Sequence, residues 1–170
     1  IGLAIRNVRS FHRAQLPESI RVETMAGVVC ERHSHAIDAV GLYVPAGTAP
    51  LPSAAIMLAV PADIAGCPIR ILCTPPRTDG TADPAVIVAA TRSGVNDIFK
   101  VGGAQAIAAM AFGTETIRPV AKVFGPGNPY VVEAKRQVFG TVAVDLLPGP
   151  SEIMVIADDT GRPDFIAADL

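Results

Sequence analysis

From residue 69 onward the chain alternates short apolar runs with longer mixed stretches, a rhythm that predicts strands joined by helices. Ile69-Arg-Ile-Leu-Cys73 reads as a strand, and Pro75-Pro76 opens the loop beyond it. Pro84 suits the first position of a helix that follows Asp83 and runs to about Ser93. Residues 97–101 read as a short strand, and 104–112 as a helix closed by Gly113. Residues 121–124 form the next strand; Asn128 or Pro129 then starts a helix ending near Phe139, with Gly140 just past its end. Residues 141–145 and 153–157 read as strands, and Pro163 begins a last helix. Upstream, residues 3–15 place Leu3, Val8 and Phe11 near one face of an amphipathic helix that Pro17 ends. Residues 27–33 and 37–44 read as two Val-rich strands with Ser34-His35-Ala36 as the turn between them. Ser53 can cap a helix running to about Gly66, which Pro61 should kink or divide.

Strands separated by helices of this length imply right-handed parallel crossovers. The expected fold is therefore α/β, a Rossmann-like doubly wound parallel sheet flanked by pieces of a second α/β domain. Residues 43–147 read as the complete unit of this kind. Residues 1–42 belong to a first domain, and 148–170 return into it. The chain opens within one helical pattern and stops at Leu170 within another, so it reads as a piece of a longer polypeptide.

Composition narrows the function. Half of the 170 residues are hydrophobic but only 5% are aromatic, so the core must be built from Ala, Val, Ile and Leu. The 15 glycines and 15 prolines sit at the ends of apolar runs, which signals tight connections rather than disorder. Net charge is −2, and no basic stripe with interleaved aromatics appears, so nucleic acid is not an expected partner. No apolar stretch reaches the length of a membrane span, and no secretory signal pattern opens the chain. Three cysteines without CxxC spacing fit a reduced, cytoplasmic protein with buried thiols.

Three glycine-marked strand-to-helix turns carry the candidate chemistry: Gly41-Leu-Tyr-Val-Pro-Ala-Gly47, Val101-Gly-Gly-Ala-Gln105 and Phe124-Gly-Pro-Gly-Asn128. Glycine lets a backbone approach a ligand closely, and the bare N–H groups of a helix start attract phosphate. Phe124-Gly-Pro-Gly-Asn-Pro-Tyr130 holds two glycines of a G-x-G-x-x-G fingerprint, with Tyr130 in place of the third. Asp145 follows about 20 residues on, where that fingerprint puts a ribose-binding acid. Gln105 can serve ribose, amide or a bridging water, or it can cap its own helix. Tyr43, at a strand end, can stack on a flat ring or pack in the core. His33 and His35 would face one side of a strand, but without Cys, Asp or Glu at ligand spacing they read as a solvated face. Glu133-Ala-Lys135-Arg136 reads as a solvated charged helix face. Leu147-Pro-Gly-Pro-Ser-Glu152 is a rigid loop carrying Ser151, and no hydrolase triad accompanies that serine.

On these residues the sequence resembles the histidinol dehydrogenase family. Gly41-Leu-Tyr-Val-Pro, Lys100-Val-Gly-Gly-Ala-Gln-Ala-Ile-Ala-Ala109, Phe124-Gly-Pro-Gly-Asn128, Glu133-Ala-Lys-Arg-Gln137 and Gly149-Pro-Ser-Glu152 fall in the family's order, over almost the whole chain. The resemblance implies an NAD-dependent, zinc-containing homodimer that oxidises L-histidinol to L-histidine through the aldehyde. It also implies cofactor contacts at Tyr43, Gln105 and Asn128 and a substrate contact at Ser151. The family's zinc-binding Gln-x-x-His segment and catalytic Glu-His pair would lie downstream of Leu170, so the 170 residues alone are expected to be inactive. Pro148 stands where the family usually has Ala before Gly-Pro-Ser-Glu. That departure keeps open a paralogous alcohol dehydrogenase resembling the sulfopropanediol enzymes. A non-catalytic binding or assembly module is the remaining alternative.

Overall fold

The computed structural model describes residues 1–46, 49–148 and 152–170. Five parallel strands form its centre: β3 (Ala39–Tyr43), β4 (Ile69–Cys73), β5 (Asp97–Phe99), β6 (Lys122–Phe124) and β7 (Ala143–Val144), in the order β5-β4-β3-β6-β7. The earliest of them lies in the middle, the next two extend to one side and the last two to the other. This is the doubly wound, Rossmann-like α/β arrangement that the strand–helix rhythm predicts.

Alternation along β3 decides which layer each side chain joins. Val40, Leu42 and the following Val44 point to one face, where α2 (Pro52–Ile64) and α3 (Pro84–Arg92) contribute Ile56, Val60 and Val86. Ala39 and Tyr43 point to the other, where α4 (Gly103–Phe112) and α5 (Pro129–Val138) contribute Ile107, Met110 and Val131. Every residue of β3 is buried, as befits a central strand covered on both faces.

Gly41, read from sequence as part of a turn, lies inside β3. Its role is packing: a Cβ there would stand 2.6 Å from Met110 Sδ and 3.2 Å from Val120 Cγ2. A side chain here would have to displace the buried Met110 of α4 and crowd Val120. Gly41→Val is expected to lower unfolding free energy by about 2–3 kcal/mol through overpacking, measurable by urea denaturation.

Local chemistry sets the helix ends. Asp83 accepts from the amides of Ala85 and Val86 with Pro84 beside it, and Gly113 ends α4 at φ +78°. α2 begins differently from expectation. Leu51 is the cap, Pro52 takes the first helical position, and Ser53 lies inside the first turn without a capping bond. Pro61 neither divides nor ends α2, which runs on to Ile64. The carbonyl that its ring deprives of a donor belongs to Met57, on the exposed face where water can serve it.

The N-terminal part departs further from expectation. α1 (Gly2–Arg13) turns Ile5 and Val8 inward, while Leu3 and Phe11 are exposed. Arg9 fastens α1 to Asp63 of α2 at 2.8 Å, and the same carboxylate lies 3.3 Å from Arg70. β2 (Val28–Arg32) pairs not across residues 34–36 but backward, antiparallel to β1 (Ile20–Met25), around Gly27 at φ +79°. Both strands of this hairpin are exposed throughout and form their own two-stranded sheet.

At the other end, residues 153–157 form no strand: they are irregular and exposed, with no neighbouring strand among the described residues to pair with. α6 (Pro163–Asp169) follows where Pro163 predicts it.

Candidate functional site

The chain order reverses between β3 and β6, and it is beside such a reversal, at the carboxyl edge, that open α/β sheets bind their ligands. Tyr43 ends β3 and Gly125 follows β6, so the two meet at that reversal. Gly125 holds φ +128°, and a Cβ built on it would lie 2.9 Å from the carbonyl carbon of Tyr43, with the oxygen nearer still. Glycine is required here on both counts: the left-handed backbone and the close approach of one main chain to another.

Tyr43 also reaches sideways. Its ring is buried in the α4/α5 layer, and its hydroxyl accepts a 3.0 Å hydrogen bond from the amide of Gly103, at the start of α4. The ring is therefore core and not a stacking platform, and its hydroxyl ties the β3 end to the α4 start. Gln105 lies in the first turn of α4 and is exposed. It does not cap its helix, whose cap is Gly102 without any side-chain bond. Its Oε1 instead stands over Gly103, 2.9 Å from where a Cβ would be.

Asn128 is exposed and caps α5, its Oδ1 accepting from Val131 N at 3.1 Å. The amide nitrogen of that side chain takes part in no hydrogen bond among the described residues. The same holds for the main-chain N–H groups of Gly127 and Asn128. Three loops thus share one edge of the sheet, carrying Tyr43, Gln105 and Asn128 and offering amide donors ahead of a helix start. Ser151, with Gly149 and Pro150, lies outside the described residues.

Two residues have a different place from the one their sequence context suggests. Asp145 does not await a ribose, because its oxygens are already engaged: Oδ2 accepts from Gly125 N at 2.8 Å, and Oδ1 from Leu146 N at 2.7 Å. Lys135 is not on a solvated face. It is 2% exposed, and its Nζ sits 2.6 Å from Asp145 Oδ1 while also donating to the carbonyl of Gly125. Its neighbours Glu133 and Arg136 do form the exposed pair expected of that helix face, at 2.7 Å.

Other candidates fall away from the edge. His33 Nε2 lies 3.3 Å from Glu31 Oε2 on the exposed hairpin, and the rings of His33 and His35 are 6.5 Å apart. Glu31 thus shares their side, yet no three metal-ligating side chains gather anywhere among the described residues. Cys67 and Cys73 are buried thiols as expected, whereas Cys30 is exposed. Burial pushes the Cys73 thiol up to about 12, which leaves it protonated and unreactive.

The edge can bind and orient a ligand with main-chain donors and amide side chains. Tyr43, Gln105 and Asn128 include no ready acid or base, and the nearby Lys135–Asp145 ion pair is spent on the turn itself. No described helix is long and apolar enough to cross a membrane.

Comparison with known proteins agrees with this architecture. The family profile of histidinol dehydrogenase matches residues 1–170. A histidinol dehydrogenase of Xanthomonas euvesicatoria pv. vesicatoria (strain 85-10) is 59% identical over 169 residues, covering 98% of this chain and 39% of that protein. One from Bacteroides fragilis (strain YCH46) is 56% identical over 171 residues, covering 100% of this chain and 40% of that protein. The crystal structure of histidinol dehydrogenase from Elizabethkingia anophelis superposes with a TM-score of 0.90 at 47% identity, covering 99% of this chain and 39% of that one. The chain spans about two fifths of the length of these relatives.

Proposed function

We propose that this chain, which belongs to the histidinol dehydrogenase family, supplies the NAD-binding part of an enzyme that oxidises L-histidinol to L-histidine through the aldehyde, in histidine biosynthesis. The observation that carries this reading is the junction at the strand reversal, where Gly125 rests on the Tyr43 carbonyl and the Tyr43 hydroxyl holds Gly103. It gathers the loops of Gln105 and Asn128 on one edge, where the main-chain N–H groups of Gly127 and Asn128 have no protein acceptor among the described residues, as a phosphate-binding helix start requires.

The residues at this edge fit a dinucleotide. Bound there, NAD would supply the hydride acceptor. The chain's own work is to hold it: amides of Gly127 and Asn128 toward phosphate, the Gln105 and Asn128 side chains toward ribose or nicotinamide oxygens, and the Tyr43 hydroxyl fixing the loop that carries Gln105. Zinc does not fit the described residues, which bring no three ligands together. Its ligands, like the acid and base, are assigned to parts of the enzyme beyond this chain. The 170 residues alone are therefore expected to turn over no histidinol. Within the reading, the NAD-binding unit expected over residues 43–147 starts earlier, at Ala39, because the central strand β3 (Ala39–Tyr43) belongs to its sheet, while the hairpin and residues 148–170 reach toward a neighbouring domain that places Ser151 against the substrate. The exposed hairpin and the exposed run at 153–157 favour that division. A cytoplasmic homodimer is the assembly we assign to the whole enzyme.

Asn128 supplies the test because its two roles separate. Asn128→Ala removes both cap and amide, costing about 1 kcal/mol of stability. Asn128→Ser keeps a capping oxygen but loses the amide donor. By calorimetric titration with NAD, the Ser variant is expected to bind about fivefold more weakly than wild type at nearly unchanged stability. Wild-type affinity in a folded Ser variant would remove Asn128 from the cofactor site, and a wild-type chain that binds no NAD would overturn the reading.

A further inference from the structure

From the buried ion pair behind the glycine turn we infer that Lys135 and Asp145 are positioning residues, which hold the Gly125 turn in its ligand-receiving shape. The inference rests on the NAD-binding reading and adds residues to which neither sequence motif nor family resemblance gave this task.

Gly125 is gripped on both sides of its main chain. Its N–H donates to Asp145 Oδ2 at 2.8 Å, and its carbonyl accepts from Lys135 Nζ. Lys135 and Asp145 then close the loop on one another at 2.6 Å. A glycine at φ +128° followed by proline has no helix or strand ladder to fix its orientation, so these side chains supply the constraint. They satisfy the polar groups of Gly125, while the amides of Gly127 and Asn128 have no protein partners among the described residues. The carboxylate also takes Leu146 N at 2.7 Å, just past the end of β7.

Burial makes the arrangement unlike an ordinary surface pair. Lys135 is 2% exposed between Val131 and Val138 of its own helix, which are buried too. A lysine in that place has its charge removed from water, and only a specific task or full pairing offsets the cost. Here the task is geometric. The pair fixes the two peptide groups that flank Gly125, and these set the start of α5.

The test uses the 170-residue chain with Lys135→Met, similar in volume but unable to donate, and Lys135→Arg, which keeps the charge. Amide hydrogen exchange followed by NMR reads the turn without any ligand, and calorimetric titration with NAD reads the site. In a Lys135→Met variant that still melts cooperatively, exchange at Gly125 is expected to accelerate about tenfold and NAD to bind about tenfold more weakly. Lys135→Arg is expected to recover part of both. Unchanged exchange and unchanged NAD affinity in folded Lys135→Met would overturn the inference. If Lys135→Met does not melt cooperatively, Asp145→Asn provides the same two readouts with a smaller packing change; should that variant fail to fold as well, the pair is a folding requirement and the positioning role is refuted. A wild-type chain with a protected Gly125 amide but no NAD binding would sink the dinucleotide reading alone, since exchange still judges what holds the turn.

Discussion

Gly125→Ala is expected to cost about 3 kcal/mol or more of unfolding free energy and to abolish NAD binding. Two penalties combine. The residue sits at φ +128°, a conformation costing a residue with a Cβ about 1–3 kcal/mol. The added carbon would also stand 2.9 Å from the Tyr43 carbonyl carbon and 3.1 Å from its Cα, with the oxygen nearer still. What it meets is the main chain of the central strand, buried on both faces, so no flexible side chain can give way. Relief requires β6 to draw back from β3, and that opens the junction on which the whole edge depends. Gly140→Ala is the control, since φ there is +100° but nothing lies within 4 Å of the added carbon. Urea melts of the two variants separate strain from collision. Equal losses would show that the close approach contributes nothing.

The same residues show what the sequence could and could not convey. The middle of the chain was legible because each element carries its own punctuation. Asp83-Pro84 and Asn128-Pro129 start helices, Gly113 and Gly140 stop them, and apolar runs between them fill the sheet. The hairpin of β1 and β2 was missed in part although Ile20-Arg21-Val22-Glu23 alternates apolar and polar residues, a strand signal that went unused. Residues 153–157 show the reverse: an apolar run reads as a strand, but a strand needs a neighbour, and none is present among the described residues. Spacing alone misled at Asp145, where an acid at fingerprint distance returns to hold the turn it was counted from. Gly41 was noticed for a real reason but the wrong one, since the constraint is the nearness of Met110 and not a turn. The three candidate contacts Tyr43, Gln105 and Asn128 do share an edge, although Tyr43 reaches it with its hydroxyl while its ring is core. Lys135 had a signal that went unused. It lies four residues after Val131 and three before Val138, so helical phase places it on the inward face despite its charged neighbours.

That burial makes Lys135→Ala the second large effect, a loss of about 3 kcal/mol. Removing one partner of a buried pair costs about 3–5 kcal/mol because the other charge is stranded. Asp145 is 26% exposed and keeps two amide donors, which puts the loss at the lower end. Replacing both partners, as Lys135→Met with Asp145→Leu, strands no charge and is expected to recover most of that stability. It cannot recover the turn, because no group then holds the Gly125 peptide from behind. The double variant should therefore melt close to wild type while its NAD affinity stays as low as that of Lys135→Met. Stability and binding would part company, as expected of a pair kept for geometry at some cost in energy. Were the double variant to bind NAD as wild type does, the Gly125 turn would need no ion pair to hold it.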